Sequence, residues 1–140
     1  MQRMWSAWRG VKEVVCSDIF AFKGGPFDTL LMMEHGIGMI ATIEGLRRFL
    51  NHAGSLVVAG GQLLLDSRDV RVLDDPNNLA YLQANRQAGR YPGEIRMRFE
   101  FNGEVGPYCG CLHVDEDGLL RIRVGFTAWE NEHVVRLLWS

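Results

Sequence analysis

Two runs of the chain are apolar without interruption, Leu30 to Met33 within FDTLLMM and Leu63 to Leu65 within AGGQLLLDS. Both end in polar or acidic residues: Glu34 and His35 after the first, Asp66, Ser67 and Asp69 after the second. Such runs predict strands buried on both faces, as in parallel sheets flanked by helices. Between them Ile43, Leu46, Phe49 and Leu50 fall at helical spacing behind Thr42, a candidate N-cap, and predict an amphipathic helix ending near His52. Gly60-Gly61 predicts the turn into the second strand, Gln62 to Asp66. Open α/β sheets bind ligands at the carboxyl ends of their strands, so the polar run-outs mark a candidate small-molecule site.

Elsewhere the patterns are shorter. Met1, Met4, Trp5 and Trp8 predict the last turns of a helix capped by Gly10, and VKEVVC, Val11 to Cys16, predicts a strand. Lys23-Gly24-Gly25-Pro26 is a turn. Asp74-Asp75-Pro76 opens a helix with Leu79, Leu82 and Tyr81 inward and Gly89 at its end. Strict alternation from Glu94 puts Ile95, Met97, Phe99 and Phe101 inward, and Asn102-Gly103 is a strong hairpin signal. The returning strand runs to Val114 with Cys109, Cys111 and His113 on one face. A short helix over Asp115 to Gly125 and an antiparallel pair, Phe126 to Trp129 and Val134 to Trp139, complete the expectation.

The chain of 140 residues predicts a single domain, residues 1–140, with no linker or repeat to divide it. A net charge of −2 with dispersed arginines leaves no basic face, so nucleic acid is not an expected partner. No apolar run reaches the roughly 20 residues of a membrane span. The start, MQRMWSAWRGVKE, lacks the apolar region of a secretory signal. A cytoplasmic protein without a membrane partner is expected. Three cysteines, Cys16, Cys109 and Cys111, do not form a disulfide framework, and Cys109 and Cys111 read as small strand side chains, so no metal is expected.

Taken in order, a strand ending CSD, FDTLLMMEHGIG, an amphipathic helix and AGGQLLLDS resemble the second half of a class I S-adenosylmethionine-dependent methyltransferase. The resemblance covers the chain from about Val11 onward, the hairpin from Glu94 to Val114 being similar to an insertion of a bacterial subgroup and VRLLWS to the family's closing strand. It implies an α/β fold: a truncated Rossmann-like methyltransferase sheet, mostly parallel, with an added antiparallel hairpin. It implies transfer of a methyl group to a small molecule, with S-adenosylmethionine contacted by Asp18 and Ile19 after the third family strand and by Met33, Glu34 and Gly36 after the fourth. Glu34 and His35 stand where acceptor and cofactor meet, and histidine is suited to general-base work near neutral pH. Asp66, with Tyr81 and Arg86 of the inserted helix, is the expected substrate contact.

The same resemblance exposes a gap. The family's first strand carries a glycine-rich loop that approaches the cofactor too closely for any Cβ, and its second ends in an acid for the ribose. Neither fits in the ten residues before Val11, and His35-Gly36-Ile37-Gly38 lies after the wrong strand. The expectation is therefore an incomplete cofactor site and a chain inactive in isolation. Alternatives are a non-catalytic dimeric remnant or small-molecule binding module, or one subunit of a split methyltransferase. The strand at 27–33 would also lose a neighbour, leaving an aggregation-prone edge. Pairing with Val11 to Cys16, a second copy, or a separate polypeptide would each cover it, a homodimer being the expected answer.

Each candidate also has a plain structural reading. Asp18 is a common turn or N-cap residue, and a histidine in a turn such as His35 is usually just solvated. Gly36 permits the turn, Asp66 and Asp69 cap the segment after β-strand residues 62–66, and Tyr81 and Arg86 lie on a solvated helix face.

Overall fold

A computed structural model describes residues 10–69, 75–122, 126–131 and 134–139. The expected helix at Met1 to Arg9 lies outside the described residues. β1 (Phe27–Met32) leads through a 3₁₀ helix (Gly36–Ile40) to α1 (Ile43–Leu56), which runs directly into β2 (Val57–Asp66). α2 (Pro76–Gln87) follows, then β3 (Glu94–Met97), β4 (Glu100–Phe101), β5 (Glu104–Val105) and β6 (Cys109–Leu112). α3 (Glu116–Ile122), β7 (Phe126–Asn131) and β8 (Val134–Trp139) close the chain.

The main sheet has the order β1-β2-β8-β7. β1 and β2 are parallel, but β2–β8 and β8–β7 are antiparallel, so the sheet is mixed and not mostly parallel. The cause is the closing hairpin, which inserts β8 beside β2, with Leu137 opposite Leu63. A second correction concerns Val11 to Cys16, which belongs to no strand, with Val11 and Val15 exposed. β-branched residues favour extended backbone, yet a strand exists only where a ladder pairs it. Pairing of this segment with β1 is thereby overturned, and β1 stands at the sheet edge among the described residues.

α1 begins where Thr42 predicts: Thr42 Oγ1 accepts the N–H of Gly45 at 3.0 Å. It continues past His52 because the apolar stripe continues through Ala53 and Leu56, both buried. Gly60-Gly61 is no turn into a strand. The pairing of Phe27 with Val57 and then of Thr29 with Gln62 leaves extra β2 residues between, a bulge in which Gly60 takes φ +77°. Leu63 and Leu65 are fully buried against Leu46, Leu50, Leu112 and Leu137. The first apolar run is covered on one face only: Met32 is buried, while Leu31 is 68% exposed.

Asp75 caps α2, its carboxylate accepting the N–H of Asn77 at 2.8 Å, with Pro76 in the first turn. Leu82 is buried, but Leu79 points out, since a single α2 stripe meets the core. Asn85, unnoticed in the sequence, is fully buried and satisfied. Its amide donates to the carbonyls of Pro92 (3.1 Å) and Glu94 (2.8 Å), and its oxygen accepts from Arg90 Nε (3.0 Å). Asn102 and Gly103 take φ +50° and +80° and turn β4 into β5 as expected. Phe99 and Phe101 are not inward, however: they are 71% and 77% exposed. The β3–β6 ladder stops at Met97 and Cys109, and the hairpin tip stands beyond the layer that would bury them.

Candidate functional site

The register Met32–Leu65 brings the carboxyl ends of β1 and β2 side by side. The chain leaves β1 through Glu34 and His35, both left-handed at φ +57° and +58°. That conformation disfavours side chains by roughly 1–2 kcal/mol per residue. Asp66, the last residue of β2, offsets it. Its carboxylate accepts the N–H of Glu34 at 3.1 Å and of His35 at 2.9 Å. Three candidates from the sequence thus meet, with Glu34 and His35 exposed to solvent.

The next turn is packed against β6. A Cβ on Gly38 would lie 2.8 Å from Cys111 Sγ, and one on Gly110 2.6 Å from Ala41 Cβ, so only glycine allows this approach. The contact delivers His113 to His35, their rings edge to face with centroids 6.0 Å apart. His113 Nε2 lies 3.8 Å from Cys111 Sγ, on the shared face that strand alternation predicts. Burial, then the proximity of His35 and Arg68, holds the His113 pKa below its ordinary value. Burial, then Cys109, pushes the Cys111 thiol up, so this thiol is a poor nucleophile at neutral pH. Among the described residues no three His, Cys, Asp or Glu side chains are placed to hold a metal ion.

Asp18 and Ile19 lie on the open side of β1. Arg48 stacks over Phe20 at 4.7 Å, and His52 Nε2 is 2.9 Å from the carbonyl oxygen of Phe22, fastening this segment to α1. Asp18 Oδ1 accepts the N–H of Phe20 at 2.7 Å, the turn role its sequence also suggested. Asp18 and Ile19 line a cleft of about 500 Å³ with Val15, Leu31, Met32 and Met39. Its volume falls in the range of small-molecule sites, roughly 300–1,000 Å³. Met33 and Gly36 flank the same β1 exit.

Tyr81 and Arg86 lie on α2. The Tyr81 hydroxyl donates to the carbonyl of Glu94 (3.3 Å) and accepts the N–H of Arg96 (2.9 Å), which ties α2 to β3. Glu94 in turn accepts the first N–H of α1, from Ile43, at 2.9 Å. A second cleft, of about 310 Å³, lies beside Arg47, Tyr91, Asp115 and Arg121. The pairing of His113 with His35 went unread in the sequence, where no spacing links them.

A parallel strand–helix–strand unit with a polar crevice at its carboxyl ends, closed by an antiparallel hairpin, has the architecture of a class I S-adenosylmethionine-dependent methyltransferase. Solved structures of that class carry the likeness. The chain is similar over 94% of its length to a SAM-dependent methyltransferase from Bacteroides fragilis in complex with S-adenosyl-L-homocysteine, at 26% identity and TM-score 0.69, and spans 56% of that protein. A SAM-dependent methyltransferase from Methanosarcina mazei matches 87% of the chain at 13% identity and TM-score 0.62, and the chain covers 63% of it. One from Clostridium acetobutylicum matches 97% at 10% identity and TM-score 0.55, with 68% of that protein covered. The last two show the fold alone. No protein-family model and no curated protein matches the chain.

Proposed function

We propose that this chain forms the acceptor-side portion of a site that transfers a methyl group from S-adenosylmethionine to a small molecule. The observation that carries the reading is the 26% identity, across 94% of the chain, to a methyltransferase bound to S-adenosyl-L-homocysteine. The residues fit one side of such a cofactor. The cleft offers apolar walls and the Asp18 carboxylate, and Ile19, Met33, Glu34 and Gly36 border it or the adjoining β1 exit. Bound S-adenosylmethionine supplies an electrophilic methyl group, and the protein's main task is then alignment of the acceptor. His35, with Glu34 beside it, is exposed at the crevice and placed to take a proton from a protic acceptor. The Tyr81 hydroxyl is engaged by β3, which leaves Arg86 of α2 as the further substrate contact of this reading.

Calorimetric titration of the 140-residue chain with S-adenosyl-L-homocysteine tests it. Micromolar binding supports the proposal, and no heat up to millimolar ligand refutes it for this chain and leaves a non-catalytic module.

The exposed edge of β1 favours a partner as well. Among the described residues no strand pairs with the outer edge of β1, beside exposed Leu31, Met33 and Met39, and such an edge attracts a further strand or surface. A second copy of this chain is the partner proposed, seated on the same side as the cleft, so that Leu31 and Met39 wall the cleft and border the interface at once. A cytoplasmic location is proposed for the protein.

A further inference from the structure

We propose that Asp66 is a positioning residue: its carboxylate holds the β1 exit turn in the shape that sets His35 against His113 at the crevice. The inference rests on the methyl-transfer reading and deepens it.

The geometry separates this role from contact with the acceptor. Both Asp66 oxygens already take backbone N–H groups, Oδ2 from Glu34 and Oδ1 from His35, across 32 and 31 positions of sequence. Those donors are consecutive, so one carboxylate fixes two successive peptide planes. Asp66 is itself fixed, paired with Val134 as the last rung of β2 on β8. The sheet therefore supplies a rigid post from which the turn hangs.

The turn could have been made more simply. Glycine takes the left-handed region without penalty, and glycine follows immediately at Gly36. Instead the two strained positions carry a carboxylate and an imidazole. Strain that persists under a charged clamp, in residues whose side chains face solvent, points to a use for those side chains. Beyond the turn, Gly38 N–H donates to the His35 carbonyl at 2.8 Å, carrying the same alignment into the 3₁₀ helix that packs on Cys111. One carboxylate thus sets the relation between His35 on the β1 side and His113 on the hairpin.

The test compares wild type with Asp66→Asn and Asp66→Ala in the whole chain. The NOE between the His35 and His113 rings and the pH titration of His113 are followed by NMR, and affinity for S-adenosyl-L-homocysteine by calorimetry. In wild type the two rings give a cross-ring NOE, as their edge-to-face contact requires, and His113 titrates below its ordinary value. In Asp66→Ala the NOE disappears, His113 titrates closer to its ordinary value, and affinity falls about tenfold or more, as expected for two charge-assisted bonds. Asp66→Asn, which keeps one acceptor oxygen, falls between. Should Asp66→Ala not fold, the isosteric Asp66→Asn decides. A ring–ring NOE and a His113 titration both unchanged in the folded variants overturn the inference, whatever the affinity does. If wild type binds no S-adenosyl-L-homocysteine, the methyl-transfer reading falls, and the ring–ring NOE with the His113 titration still judges the clamp.

Discussion

Tyr91 and Asp115 are joined twice: the phenol donates to the carboxylate of Asp115, and the N–H of Asp115 donates to the phenol oxygen at 3.1 Å. The other carboxylate oxygen accepts the N–H of Gly118 at 2.8 Å, capping α3. The residue leaving the α2 loop therefore fixes where α3 starts. Hydrogen bonds to a charged group contribute about 1.5–3 kcal/mol each and neutral ones less.

Tyr91→Phe keeps the ring and removes both bonds, so it should destabilise the fold by about 1–3 kcal/mol. A urea denaturation midpoint indistinguishable from wild type would show that the pair contributes nothing.

Gly45 offers a case where two effects oppose. It lies in the first turn of α1, where alanine would be favoured over glycine by roughly 0.5–1 kcal/mol. A Cβ there would stand 2.5 Å from the carbonyl oxygen of Ile40, backbone at the end of the 3₁₀ helix that cannot swing aside. Overpacking of that kind costs typically about 1–3 kcal/mol, so the clash wins. Gly45→Ala should lower the melting temperature, and a rise would mean that the 3₁₀ helix gives way at little cost.

How stability varies with pH depends on His113. Its folded pKa is lowered from the ordinary 6.5, first by burial, then by His35 and Arg68. Below 6.5 the unfolded chain therefore takes up a proton that the folded chain resists. The stabilisation is complete above that value and is lost as pH falls toward the folded pKa. Urea midpoints at about pH 8 and about pH 5 should differ more for wild type than for His113→Asn. Equal pH dependence in the two proteins would rule out His113 as the source.

Thr42, Asp75 with Pro76, and Asn102 with Gly103 act within a few residues of themselves, and each does what its local chemistry predicts. The exposure of Phe99, Phe101 and Leu31 depends on which layer stands opposite, which alternation does not encode. Val11 to Cys16 has strand-forming residues and no ladder, for the same reason. Glu34, His35 and Asp66 were legible as a site because all three end apolar strands, yet the direction of the Asp66 bonds was not. Tyr81 and Arg86 were assigned to the acceptor by resemblance, and the bonds of the Tyr81 hydroxyl to β3 were not legible in the sequence.

Leu31 puts the proposed dimer to a direct trial. Its neighbours in sequence, Leu30 and Met32, face the core, while its own side chain is 68% exposed on the edge strand. Leu31→Lys consequently removes little buried area, and an exposed substitution of this kind changes stability by less than about 0.5 kcal/mol. A lysine on a strand edge also opposes pairing with an identical strand, because like charges then meet across the two-fold axis. Wild type should scatter light as twice the chain mass and Leu31→Lys as a single chain, with melting of the variant monomer independent of concentration. A wild-type monomer, or a variant that still dimerises, would remove the β1 edge as the interface.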